Sequence, residues 1–273
     1  MEPIVSAEQI EQFRQKGATV LRGVFSEHWI KTVDAGITKN LEKPSRPNAF
    51  VDGESRGFFQ DSNNWRCIEE FRDFALNSPA KIIAGELMCA SKINFLHDHV
   101  LVKKAGVKKR TPWHQDQPYS PVDGRDFCTM WLPTGAVSAE TALEFVAGSH
   151  ASGKWYRPQR FTTGSLREGD DQRWEILPDV EADRDRYEIL RWAMKPGDVV
   201  VFHGLTLHGA AGNSDTADRR VLSTRWTGDD ARFQRRSGEM SPPPPANGAP
   251  RDGDPLDCEA FPVVWRRNAQ HAR

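Results

Sequence analysis

The chain has 273 residues, and 37 Lys+Arg against 38 Asp+Glu leave a formal net charge of −1. That balance excludes a broad basic face tracking nucleic-acid phosphates, and no stretch approaches the ~18 consecutive apolar residues of a membrane span. The length suits one domain of the all-β type with helical decoration, with enough core to need no staples.

The N-terminal MEPIVSAEQIEQ has neither the basic nor the apolar region of a secretory signal. Residues 1–91 are predicted to be largely helical. Ser6-Ala7-Glu8-Gln9 is a capping-box pattern, followed by Ile10 and Phe13 at helical spacing and a stop at Gly17. Residues 19–25 (TVLRGVF) read as a short strand, and Ser26 as the cap of a helix running toward Asn40. Ser78-Pro79 opens a further helix through Met88, with the cap followed by proline at the first helical position.

From residue 92 to 236 the texture changes to short β runs broken by Gly, Pro and Asp: 93–102, 127–132, 142–147, 198–203, 205–209 and 219–226. Such spacing predicts a sandwich or barrel rather than βαβ units. Residues 237–257, with four consecutive prolines, cannot be helix or inner strand and are expected as an extended surface segment. FPVVW (261–265) is placed as a docking edge strand and the last residues, 266–273, as a frayed end. The single domain is therefore 1–273. Cys67, Cys89, Cys128 and Cys258 form no CxxC pair, which fits free thiols and a cytoplasmic setting.

The most informative segment is TPWHQDQPY (111–119), which holds His114-Gln115-Asp116. Residues i and i+2 of an extended chain share a side, so the imidazole and the carboxylate can meet one metal. Downstream, KPGDVVVFHGLTLHGAAGN offers His203 and His208, and RRVLSTRW follows with Arg219, Arg220 and Arg225. Two histidines and one carboxylate on one face leave three metal positions open, the facial triad of non-haem iron oxygenases. A 2-oxoglutarate held there needs a buried guanidinium for its distal carboxylate. Residue types alone leave His203 and His208 both available as the distal ligand.

HxD, a histidine in an LHGAGN-like context and an arginine eleven positions beyond it resemble the phytanoyl-CoA hydroxylase family of Fe(II)/2-oxoglutarate oxygenases. The resemblance runs from about residue 15 to residue 228 and includes EFVAGSH (144–150) and KPGDVVVFH (195–203). It implies a mainly β fold with flanking α-helices around a double-stranded β-helix (jelly-roll, cupin-like) core. It also implies iron held by His114, Asp116 and His208, with 2-oxoglutarate clamped by Arg219 and touched by Gln115 and Trp131. On this likeness His203 is a packed or hydrogen-bonded histidine. Asp116 stands where related halogenases carry a small residue, so oxygenation is the implied chemistry. The implied partners are a small-molecule substrate and O₂, with no nucleic acid and no membrane. Hydroxylation is the default outcome, with 2-oxoglutarate leaving as succinate and CO₂. The competing readings are an iron oxygenase using the same triad without 2-oxoglutarate, and a non-catalytic barrel that binds a small ligand.

Other segments carry weaker signals. His97-Asp98-His99 is metal-like but has no evident completing ligands; its polar residues are expected to line the barrel, with His99 shaping the active-site mouth. GSHASGK (148–154) fits GxxxxGK, yet Trp155 stands where a P-loop needs Ser or Thr. The aromatic, Arg-rich insert 154–174 reads either as a partly ordered loop with its aromatics packed on the barrel or as a lid over the active site, mobile until substrate binds. Gln117, Trp155 and Arg225 are candidate substrate contacts; Arg225 should share a strand face with Arg219, there either to bind an acidic substrate group or to form a structural salt bridge.

Overall fold

The computed structural model describes residues 3–46, 49–50, 57–161, 165–167, 169 and 171–267. The N-terminal part supplies α1 (Ala7–Lys16), β1 (Ala18–Leu21), α2 (Glu27–Glu42), β2 (Phe58–Ser62), α3 (Glu69–Asn77) and α4 (Ala80–Leu87). The core follows with β3 (Lys92–Lys103), β4 (Thr111–His114), β5 (Val122–Asp123), β6 (Phe127–Pro133), β7 (Leu143–Val146), β8 (Trp155–Tyr156), β9 (Trp174–Glu175), β10 (Ile189–Arg191), β11 (Val199–His203), β12 (His208–Ala210) and β13 (Arg219–Thr227). Beyond it lie β14 (Arg232–Phe233) and β15 (Val263–Arg266).

Local chemistry accounts for the helix ends. The Ser6 and Gln9 side chains form the reciprocal capping box, and Gly17 ends α1 in the left-handed region at φ 79°. Ser26 caps α2 by position, without a side-chain hydrogen bond. At α4 the Ser78 hydroxyl accepts from the Ala80 N–H at 3.3 Å. Local signals did not reveal α3 and β2. The Phe58-Phe59 pair, both buried, breaks the alternation that would mark a half-buried strand.

Seven strands form the large sheet in the order β1-β11-β6-β13-β3-β15, with β2 also pairing β3, and four form the small sheet, β10-β7-β12-β4. Every pairing in both is antiparallel. The large sheet obeys the period of two. Val199, Val201, Met130, Leu132, Val100, Val102 and Leu222 face the helices, joining Phe71, Phe74, Ile83 and Ile37 in the main apolar core. Val200, Phe202, Trp131 and Val221 face the small sheet and meet Leu143, Phe145 and Ala210. Each fully buried large side chain of this kind contributes about 1.5–3 kcal/mol. This is the double-stranded β-helix core, with the helices on its outer face. No helix among the described residues is long and apolar enough to cross a membrane.

A bulge between Arg225 and Trp226 shifts the register against β3. Phe95 can therefore pack on the helix side while His97, His99, Leu101 and Lys103 all line the barrel cavity.

The proline-rich segment 237–257 is free of helix and strand and mostly exposed or half-buried, and it also touches the barrel at a few points. The Ser241 N–H donates to the Tyr119 carbonyl at 2.7 Å, and the Ser120 hydroxyl donates to the Ser241 carbonyl at 2.9 Å. Leu256 and Phe261 are buried with Phe127 and Phe233. A run of prolines has no N–H groups to satisfy, so it can lie against a barrel mouth without a ladder. β15 docks on β3 as the expected edge; of the expected frayed end, 268–273 lie outside the described residues.

Candidate metal centre

His114 ends β4 and lies directly opposite His208 in the β4–β12 pair, with ring centroids 4.1 Å apart. Asp116 follows two residues later in a tight turn, where its N–H and that of Gln117 both donate to the Gly204 carbonyl at 3.0 Å. Gly204 permits this approach: a β-carbon there would sit 2.4 Å from the Phe127 ring and 3.0 Å from Gln117. The Nε2 atoms of His114 and His208 lie 3.6 and 3.8 Å from Asp116 Oδ1. One ligand atom from each residue falls within 4.8 Å of the others, and all three are buried.

Hydrogen bonds orient all three side chains. His114 Nδ1 meets the Pro112 carbonyl at 2.8 Å, and His208 Nδ1 meets the Thr206 carbonyl at 3.0 Å. A carbonyl accepts only, so each Nδ1 carries the proton and each Nε2 keeps a free lone pair. Burial, then His114, pushes His208 down to about 3, so its ring is neutral. Asp116 Oδ2 accepts from Thr129 at 2.7 Å, and Arg225 Nη2 spans both oxygens at 3.2 and 3.1 Å. Burial opposes the charge on Asp116, but the Arg225 guanidinium holds its carboxyl well below the usual range. Two imidazole nitrogens and a carboxylate fit a borderline divalent ion such as Fe(II).

The three residues open into a cavity of about 540 Å³, also lined by Trp131, His97, His99, Arg219 and Arg225. Arg219 is buried, its guanidinium lying 5.9 Å from the Trp131 ring and donating to the Thr141 carbonyl. Arg220 turns outward onto α2, where Nε meets Asp34 at 2.6 Å. Lys103 pairs with Arg219 in register across β3 and β13. Its Nζ donates to the Ala211 carbonyl at 3.1 Å and lies 4.7 Å from the Phe58 ring centroid. Among the described residues neither cation has a carboxylate within ion-pair reach. Burial pulls Arg219 down to about 10, and burial with the Arg219 charge pulls Lys103 down to about 6. Sequence reasoning missed Lys103; the one signal available was a lysine ending an apolar strand.

Several expected contacts lie elsewhere. Gln115 is buried outside the cavity: its Nε2 donates to the Lys154 and Leu205 carbonyls at 2.9 Å, and its Oε1 accepts from the Tyr156 N–H at 2.9 Å. It therefore anchors the insert, because Asp116 and Gln115 are adjacent and point apart. Gln117 donates to the Gly124 carbonyl at 2.8 Å and is fully buried. Trp155 lies between the guanidiniums of Arg173 and Arg236, 4.3 and 4.9 Å away. His203 bonds the Arg125 carbonyl at 2.9 Å through Nε2 and accepts from the Leu205 N–H at Nδ1. Gln159, Phe161 and Arg167 of the insert line the cavity. Phe161 packs 4.7 Å from the His114 ring, and Arg167 lies over Tyr119 at 4.7 Å; residues 162–164, 168 and 170 lie outside the described residues.

A buried His-Asp-His cluster opening into a double-stranded β-helix has the form of a non-haem iron oxygenase centre. The family model for phytanoyl-CoA dioxygenase matches residues 13–221, and the chain belongs to that family. It is 23% identical over 248 residues to a "Probable phytanoyl-CoA dioxygenase" of Caenorhabditis elegans, covering 83% of this chain and 77% of the relative. It is also 23% identical over 238 residues to a "Probable alpha-ketoglutarate-dependent hypophosphite dioxygenase" of Stutzerimonas stutzeri, covering 82% and 79%. The fold is shared with the non-heme alpha ketoglutarate dependent carbocyclase SnoK from nogalamycin biosynthesis, with a TM-score of 0.76 and 23% identity over 96% of this chain and 97% of that one.

Proposed function

We propose that the protein hydroxylates a small molecule, with His114, Asp116 and His208 holding Fe(II) and with 2-oxoglutarate converted to succinate and CO₂. The bound iron and 2-oxoglutarate would supply oxidising power from O₂. The chain's own residues do the rest. The Nδ1–H bonds of both histidines keep the Nε2 lone pairs on the metal side, and Thr129 with Arg225 holds the Asp116 carboxylate in place. Arg219 and Lys103 take the distal carboxylate of 2-oxoglutarate, with Trp131 as the wall beside them. Phe161, Tyr119 and the 239–243 segment roof the cavity and limit water.

The observation that carries this reading is a buried guanidinium with no carboxylate in ion-pair reach among the described residues, with a buried lysine beside it, both lining the same cavity as the triad. A buried guanidinium without a counter-ion is costly, and a dicarboxylate arriving from outside relieves it. The three related names cover different substrates, so the substrate is read from the cavity rather than from the family. The test is anaerobic addition of Fe(II) and then 2-oxoglutarate, followed by absorption. A metal-to-ligand charge-transfer band that needs both, and succinate formation on admitting O₂, is the expected result. Iron binding with no response to 2-oxoglutarate would favour a triad oxygenase that works without it.

A further inference from the structure

The cavity wall away from Lys103 and Arg219 has an uncommon charge state. Three guanidiniums line it, and each has a counter-ion: Arg46 with Asp61 at 3.3 Å, Arg167 with Glu239 at 3.8 Å, and Arg225 with Asp116 at 3.1 Å. His97 and His99 stand two residues apart on β3 and both line the cavity. Burial, then the charge of Arg225, keeps both imidazoles neutral. No unbalanced charge is left on this wall among the described residues.

It does have unmet hydrogen-bonding capacity. Gln60 Oε1, Asn64 Nδ2 and His99 Nε2 are buried and without hydrogen-bond partners, as are Arg46 Nε and Arg167 Nε, and all five residues line the cavity. Oε1 only accepts, Nδ2 only donates, and a neutral imidazole nitrogen does one or the other. Ser62 and Ser223 flank His99 in register on β2 and β13 and line the same cavity. Native proteins rarely leave such groups unsatisfied, and sites meant for a ligand are where they do.

We infer that this wall, formed by Gln60, Asn64 and His99, binds an uncharged, hydroxyl-bearing part of the substrate. A carboxylate or phosphate only accepts; it would serve Asn64 and the Nε–H groups of Arg46 and Arg167, but it would leave Gln60 Oε1 facing another acceptor, and both guanidiniums already have counter-ions. An ammonium only donates and would lie against Arg46 and Arg225. A hydroxyl donates and accepts at once, so a group bearing several can serve the acceptor and the donors of this wall alike. Phe161 and Tyr119 at the mouth add aromatic faces for the flat or apolar side of the same molecule. The inference rests on the proposed function only in taking this half of the cavity as the substrate's.

The test uses four probes of similar size: phenyl β-D-glucopyranoside, phenyl phosphate, benzoate and benzylamine. Binding is read in two ways, from the ¹⁵N signals of the histidine rings in the metal-free protein and from the absorption band of the anaerobic Fe(II)–2-oxoglutarate form. The glucoside is expected to shift the His97 and His99 signals and to bind at least tenfold more tightly than each charged probe. Gln60→Leu and His99→Phe should each weaken it tenfold or more, with 2-oxoglutarate affinity unchanged. Equal or tighter binding of a charged probe, no histidine shift with the glucoside, or unaltered affinity in both variants overturns the inference. Failure of the underlying oxygenase reading is distinguishable: the absorption band would then be missing before any probe is added, while the histidine signals still report on the wall.

Discussion

Lys103 and Arg219 lie directly opposite each other across the β3–β13 ladder, two buried basic side chains side by side in the cavity that holds the metal centre. Like charges in register would destabilise the sheet, and burial with the Arg219 charge pulls Lys103 down to about 6, so the pair by itself keeps one charge. The arrangement makes physical sense when an anion joins them.

Co-substrate affinity should therefore depend on pH through Lys103, which is held near 6 in the empty protein. A carboxylate against its ammonium raises that value, so 2-oxoglutarate binding takes up a proton and weakens as pH rises above about 6. Calorimetry in buffers of different ionisation enthalpy should show this uptake near pH 7.5. Lys103→Met should abolish it and weaken binding at pH 6.

The same lysine affects stability with a definite sign. Between about 6 and the ordinary lysine range, the unfolded chain holds the proton and the folded protein does not. Stability of the ligand-free protein then rises with pH across that window. Urea unfolding at pH 6.5 and 9 should show the rise in the wild type and a smaller one in Lys103→Met, with the variant the more stable of the two at pH 6.5.

Arg219→Ala and Arg220→Ala should separate cleanly. Leaving one partner of a buried ion pair uncompensated costs about 3–5 kcal/mol, so 2-oxoglutarate should bind Arg219→Ala roughly a hundredfold more weakly, at about 1.4 kcal/mol per tenfold. Arg220 bonds Asp34 and Thr38 on α2. Its loss should leave titrations of 2-oxoglutarate unchanged and cost at most about 1 kcal/mol of stability.

The two downstream histidines should also differ. His208→Ala is expected to lose Fe(II) binding while the chain still folds, and His114→Ala and Asp116→Ala likewise. His203→Ala removes bonds to the Arg125 carbonyl and the Leu205 N–H, so it should lose about 1–3 kcal/mol of stability and keep its iron. Metal titration with thermal melts reads both; iron loss confined to His203→Ala would reverse the assignment.

Thr129→Val tests the orientation of Asp116. Its hydroxyl donates 2.7 Å to Oδ2, which leaves Oδ1 toward the two imidazoles. Supporting partners of metal ligands typically matter 10–100-fold, so Fe(II) affinity should fall about tenfold or more with the fold intact. Unchanged affinity would assign the orientation to Arg225 alone.

Much of this was legible locally. The capping box at Ser6, the strands around 93–102, 198–203 and 219–226, and the HxD pair all follow from short-range periodicity and side-chain chemistry. Opposite faces for Arg219 and Arg220 follow from the same period of two. The family likeness, rather than residue chemistry, favoured His208 over His203, which looked equivalent as isolated imidazoles.

Only the tertiary structure decided which residues meet. At Gly204 the chain leaves the large sheet for the small one, so His203 pairs with Cys128 while His208 pairs with His114. Gln115, Gln117 and Trp155, all plausible contacts by proximity in sequence, are turned to backbone carbonyls or stacked between guanidiniums. Lys103, far from Arg219 in sequence, becomes its cross-strand neighbour. Local patterns specify a strand and the face each residue presents, because those depend on neighbouring residues. Register and sheet order depend on burying apolar faces from distant segments together, and these set which polar groups share a cavity.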